Sequence, residues 1–171
     1  MGRRVGKKKE ILARIAVSAA VCLLPCAARI EAGTPPALAL TLTIPHTSID
    51  FGAVTPFTAQ DVYRSFDDCT VRSNKNDTTC EVFVEPNPLS AQFTDASEGV
   101  SFPVGQLHAL DNASGSYAPL DNVAAKRLDR LVLPRKNRDY PFSFALRLRM
   151  TGNEYAGSYS VWLMVTAVAV P

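Results

Sequence analysis

The chain reads as all-β: one antiparallel β-sandwich behind a cleavable leader. From Ala37 onward apolar residues recur with a period of two, Pro, Gly, Asn and Asp interrupt them at short intervals, and no stretch sustains a helical period. Several short strands separated by turn formers, in a length that fits one domain, are the pattern of an antiparallel sandwich.

Leu38, Leu40, Leu42 and Ile44 alternate with Ala39, Thr41 and Thr43, and the run stops at Pro45. Ile49 and Phe51 bracket Asp50 ahead of Gly52. Val62 to Phe66 and Cys69 to Ser73 read as two short strands, and Glu81 to Glu85 sets Val82 and Val84 between its charged ends. The polar turn formers Asn74 to Asp77 lie midway between Cys69 and Cys80, which predicts a hairpin there. Between Pro86 and Pro134 the chain is less regular, and the region from Asn122 to Leu131 has room for a short helical turn.

Phe142 to Met150 is the cleanest segment. Phe142, Phe144, Leu146, Leu148 and Met150 share one face, and Ser143, Ala145, Arg147 and Arg149 share the other, so one side is expected to face a core and the other water. Tyr159 to Val170 differs because both faces are apolar, with Val161, Leu163, Val165 and Ala167 on one and Trp162, Met164, Val168 and Val170 on the other. It predicts a central strand whose outer residues are covered by something, either loops of the same chain or a second protein chain. Trp162, Met164, Val168 and Val170 are therefore the candidate interaction surface; ordinary core is the alternative for Trp162, the single tryptophan.

The first residues read as a secretory signal: basic Arg3, Arg4 and Lys7 to Lys9, then the apolar run Ile15 to Ala28, then small residues. That run of 14 residues is short of the roughly 20 needed to span a bilayer. Cleavage after Ala28, Ala32 or Ala39 suits the small residues there, and Ala32 is favoured, giving a leader of residues 1–32 and one domain over 33–171. The expected location is secreted, periplasmic or cell surface, with the membrane met only in transit or through a lipid anchor at Cys26.

The chain has 18 Lys plus Arg against 16 Asp plus Glu, but seven of the basic residues and two of the acidic ones fall in residues 1–31. From position 32 onward 11 basic and 14 acidic residues leave a net of −3, which argues against a nucleic-acid partner. Six of those eleven, Lys126, Arg127, Arg130, Arg135, Lys136 and Arg138, form a local cluster that suits an acidic polymer or phospholipid surface. The alternative is a solvated strand edge, where positive side chains discourage edge-to-edge pairing.

Cys69 and Cys80 are the two cysteines beyond the leader, and an even number in an oxidising compartment predicts a disulfide. Two buried free thiols are the alternative. Their spacing, and the isolation of His46 and His108, predict no metal site, and no cofactor is expected. Asp67 and Asp68 with Asn76 and Asp77 offer hard oxygens but match no calcium-loop spacing. No nucleophile elbow, zinc-helix motif or phosphate-cradling glycine loop is present, so an enzyme is not expected.

Two segments resemble known families. Ser48-Ile-Asp-Phe-Gly-Ala-Val54 resembles the opening of spore coat protein U-like and related pilin-like secreted bacterial domains, and Glu154-Tyr-Ala-Gly-Ser-Tyr-Ser160 resembles their closing motif. The first segment is equally similar to immunoglobulin-like domains of the abnormal-spindle and Hydin type. The resemblance implies an Ig-like sandwich used for surface structure or adhesion, with no catalytic residues to carry over. Two function classes follow: a surface subunit that self-associates or joins a protein partner through a strand, and a monomeric binding module for a surface polymer or polysaccharide.

Overall fold

The computed structural model describes residues 11–19, 37–46, 48–55, 57–86, 92–121 and 123–171. Among them, strands β1 (Ile11–Ala19), β2 (Leu40–Thr43), β3 (Ser48–Val54), β4 (Ala59–Ser73), β5 (Thr78–Pro86), β6 (Gln92–Asp95) and β7 (Val100–Pro103) precede a single 3-10 turn, Val104–Gln106. β8 (Leu107–Asp111), β9 (Ser116–Pro119), β10 (Lys126–Leu133), β11 (Asp139–Thr151) and β12 (Ser158–Val170) complete the order. The larger sheet runs β10-β5-β12-β1-β3, with β6 beside β12 and β7 beside β6; the smaller runs β2-β4-β11-β8-β9. The fold is all-β and sandwich-like, as the sequence predicts. Its pairs are antiparallel except β1 with β12, which is parallel.

Period-two patterning places the core between the sheets. Phe142, Phe144, Leu146, Leu148 and Met150 of β11 are all buried, opposed by Val82 and Val84 of β5 and Tyr159, Val161, Leu163 and Val165 of β12. Phe93, Phe102 and Tyr159 extend the core at one end, the first two stacked with ring centroids 4.6 Å apart.

Four expectations need correction. The two short strands at 62–66 and 69–73 are one long strand, β4. Its register against β11 shifts where Cys69 faces Phe142 and Phe66 faces Phe144, and the bulge at Asp67–Asp68 reverses which residues point inward. A broken period reads as two strands. The region expected to hold a helical turn is β10, whose period is likewise broken by a shift between Arg127 and Asp129, with Leu128 fully buried. Most of the described residues between Pro86 and Pro134 lie in strands, and Pro88 lies outside the described residues. Pro86, Pro103 and Pro119 end strands and Pro134 follows one, so these prolines punctuate strands rather than replace them.

The fourth correction concerns Cys69 and Cys80. The segment between them is an arch rather than a hairpin, because β4 belongs to the smaller sheet and β5 to the larger. Both cysteines are free and fully buried, and no disulfide joins them. The Ser73 and Thr78 hydroxyls meet across the arch at 2.9 Å. Counting inward from that contact puts Val71 level with Cys80 and Cys69 level with Val82, a stagger of about 6–7 Å along the strands. Burial, with Asp68 and Asp67 nearby, pushes the Cys69 thiol up to about 11, and burial beside Asp129 and Glu81 does the same for Cys80.

Candidate functional site: a strand slot in the larger sheet

β12 pairs with β5 along Leu163–Val170 and with β1 along Ser158–Val165. β1 pairs in turn with β3, matching Ile11 with Val54 and Ile15 with Ile49. β3 thus reaches the rest of the larger sheet through β1, which lies in the segment read as a leader. Ala13, Ile15, Val17 and Ala19 stand level with Tyr159, Val161, Leu163 and Val165.

Without β1, two strand edges would face each other across a gap one strand wide, about 9–10 Å between their axes. The walls of that gap carry Ile49, Phe51, Tyr159, Val161, Leu163 and Val165, all at most 2% exposed. The far wall has a second anchor: Arg64 of β4 donates from Nε to the Asp50 carbonyl at 2.8 Å and from Nη2 to the Phe51 carbonyl at 2.9 Å.

The near wall is fixed where β12 begins. The Ser158 N–H donates to Asp95 Oδ2 at 2.7 Å, while Asp95 Oδ1 accepts from the N–H and hydroxyl of Ser97. The Ser97 hydroxyl and the Ser158 N–H are the main bonds that hold the Asp95 carboxyl down at about 2. Gly157 sits so close to Asp95 Oδ2 that a Cβ there would collide with it. Glu154 closes the preceding turn, accepting from the Thr151 N–H and hydroxyl on Oε1 and from the Gly152 N–H on Oε2. Gly152, at φ +91°, takes a left-handed conformation in that turn. The motif Glu154 to Ser160 therefore builds the turn that starts β12.

The four residues expected as an interaction surface lie on one face of β12. Trp162 is 53% and Val168 48% exposed, and Met164 and Val170 are half-buried. Trp162 is level with Ala16 of β1, so this face adjoins the slot. Val132 of the edge strand β10 is also exposed, extending the apolar character of that side.

The basic cluster is divided. Lys126 pairs with Asp121 at 2.8 Å, and Arg127 pairs with Asp111 at 2.9 Å and Glu81 at 3.1 Å, so two of the six cations are bound internally. Arg130 is exposed on β10, and Arg135, Lys136 and Arg138 are exposed in the turn before β11.

Sequence reasoning missed Asp95, which has no motif around it. It also missed a cluster on the outer face of the smaller sheet. There Arg147 lies over the Tyr117 ring at 4.9 Å and Nη2 meets His108 Nδ1 at 3.1 Å, holding the imidazole below its ordinary value through burial and the nearby cation. Among the described residues no group of His, Cys, Asp and Glu could hold a metal, and no helix is long and apolar enough to cross a membrane. No protein-family model matches the chain, and no curated protein is significantly similar to it.

Proposed function

We propose that this chain is an exported, non-enzymatic subunit of a surface structure, Ig-like in fold, whose mature sandwich is completed by a strand from a second protein chain. One observation carries the reading: the strand between β3 and β12 is Ile11–Ala19, which overlaps the apolar run read as a leader. If the leader is removed on export, the slot opens and its buried walls need a new strand. Two parallel or antiparallel edges around an apolar gap are a site for strand addition, with main-chain hydrogen bonds giving affinity and alternate side chains giving selectivity.

The exposed face at Trp162 and Val168 supports the same reading, since it lies beside the slot and would be extended by an incoming chain. The resemblance of residues 48–54 and 154–160 to spore coat protein U-like and pilin-like domains agrees with it. The polymer-binding alternative keeps the exposed cations Arg130, Arg135, Lys136 and Arg138, while Lys126 and Arg127 are paired within the chain.

The test is mass spectrometry and sedimentation on the protein from the extracytoplasmic fraction of its native host. Loss of the first 28 to 39 residues, together with a particle larger than one chain, is the expected result. An intact N-terminus in a soluble cytoplasmic fraction would refute export, and a processed chain that stays monomeric at high concentration would refute strand donation.

A further inference from the structure

On the outer face of the larger sheet, β12 presents Trp162, Met164, Thr166, Val168 and Val170. The β5 residues beside them are Glu85 at Met164, Phe83 at Thr166 and Glu81 at Val168, and β10 adds Arg130 beside Glu81. Trp162 and Val168 are exposed, as is Val132 near the end of β10, while Phe83, Met164 and Val170 are half-buried. Water-facing sheet surfaces alternate to polar residues, and a contiguous apolar patch marks an interaction site.

The order of these residues says what fits the face. Two copies of a sheet packed face to face are related by a two-fold axis lying between them, and such an axis makes the contact self-complementary. An axis crossing the strands at the level of Thr166 and Phe83 sets those two positions against their own copies. It sets Met164 of each chain against Val168 of the other, and Trp162 against Val170, so the apolar residues of β12 meet apolar partners on both sides of Thr166. The charges follow the same order. Arg127 holds Glu81 at 3.1 Å, which leaves Arg130 as the cation at that level, and Glu85 is the anion at the level the axis brings over it. Neither Arg130 nor Glu85 is ion-paired with any described residue. Arg130 stands one strand to the side of β5, about 5 Å, an offset its side chain spans. The Arg130–Glu85 contact is made twice, once on each side of the axis.

We propose that this face pairs with the same face of a second copy of the chain about that axis. The pairing goes beyond the strand slot and does not depend on it: in the full chain Ile11–Ala19 fills the slot, and the pairing uses the flat of the sheet rather than a strand edge.

The experiment therefore uses the full chain, as wild type, Arg130→Glu, Glu85→Arg and the variant carrying both changes. Sedimentation equilibrium over a concentration series measures association, and thermal melting on the same samples checks that each protein is folded. Trp162 is the single tryptophan, so its quenching by acrylamide reads the face directly. Wild type should form a dimer, with Trp162 becoming shielded as the dimer forms. Each single variant should weaken the dimer at least about tenfold, because it places like charges at both contacts. The double variant should recover the dimer, and an equimolar mixture of the two single variants should associate more tightly than either alone, since opposite charges then meet at both contacts. A monomer throughout the series overturns the proposal: if Trp162 is freely quenched the face is bare, and if it is shielded the chain's own residues cover it. A dimer that the single variants leave unchanged in folded protein also overturns it, because that dimer uses another surface. Either failure leaves the slot reading to its own test on the processed chain.

Discussion

Ile49 and Val161 pair with the same residue from opposite sides, Ile15 standing between them antiparallel to the first and parallel to the second. Both are buried, so the core on each side of β1 is continuous only while some strand occupies that place. The slot is thus a requirement of the sandwich, whatever chain fills it.

That requirement predicts the effect of breaking β1 in the full chain. Ile15→Pro removes a backbone donor from a strand paired on both sides, where proline is not tolerated. A loss of about 1–3 kcal/mol is expected from the acceptor left without a donor, read by denaturant unfolding. No change would mean that β1 contributes nothing to the folded chain.

Leu146 and Trp162 should respond in opposite ways. Leu146 is fully buried at the centre of β11, and Leu146→Ala should cost about 2–5 kcal/mol by leaving a cavity between the sheets. Trp162→Ser and Met164→Ser should weaken association or partner capture more than they lower the melting temperature, measured by sedimentation and thermal melting on the same samples. A monomeric native protein whose melting temperature falls sharply in these variants would make the face ordinary core.

The strands were legible where the period of two is unbroken. Phe142 to Met150 shows its buried face directly, and Tyr159 to Val170 its central place, because doubly apolar alternation has few other settings. Legibility failed at the bulges: one added residue near Asp67–Asp68 and one at Leu128 reverse the phase, and no local signal in those residues announces it. The arch at 74–77 failed for a different reason. The same turn formers serve a hairpin and a crossing between sheets, and which occurs depends on partners far along the chain. The slot was hidden because the apolar run around Ile15 suits a leader as well as a strand.

The thiols give a chemical check on the arch. With both pushed up to about 11, only about one in a thousand would be thiolate at pH 8, and both are fully buried. Native protein should resist alkylation, and denatured protein should label at Cys69 and Cys80 without any reductant. A Cys69–Cys80 linked peptide, or denatured protein that labels only after reduction, would contradict the free thiols.

Asp95 predicts an acid limit. Its carboxyl lies at about 2 in the folded chain, against about 4 for an unperturbed aspartate. A depressed value means that its contribution is complete above pH 4 and is lost as pH falls towards 2. Asp95→Asn should flatten the stability profile in that window while lowering the melting temperature at pH 7, since an amide cannot accept from Ser97, Glu98 and Ser158 together. An unchanged profile would remove Asp95 from the anchoring of β12.

The most direct test of the slot is amide hydrogen exchange on the processed, leaderless chain, with and without a synthetic peptide spanning Ile11–Ala19. The account predicts that the peptide binds one to one, raises the melting temperature and slows exchange across Ser158–Val165 and Ser48–Val54. A processed monomer whose exchange in those two segments is already slow, and which the peptide leaves unaltered, would contradict it.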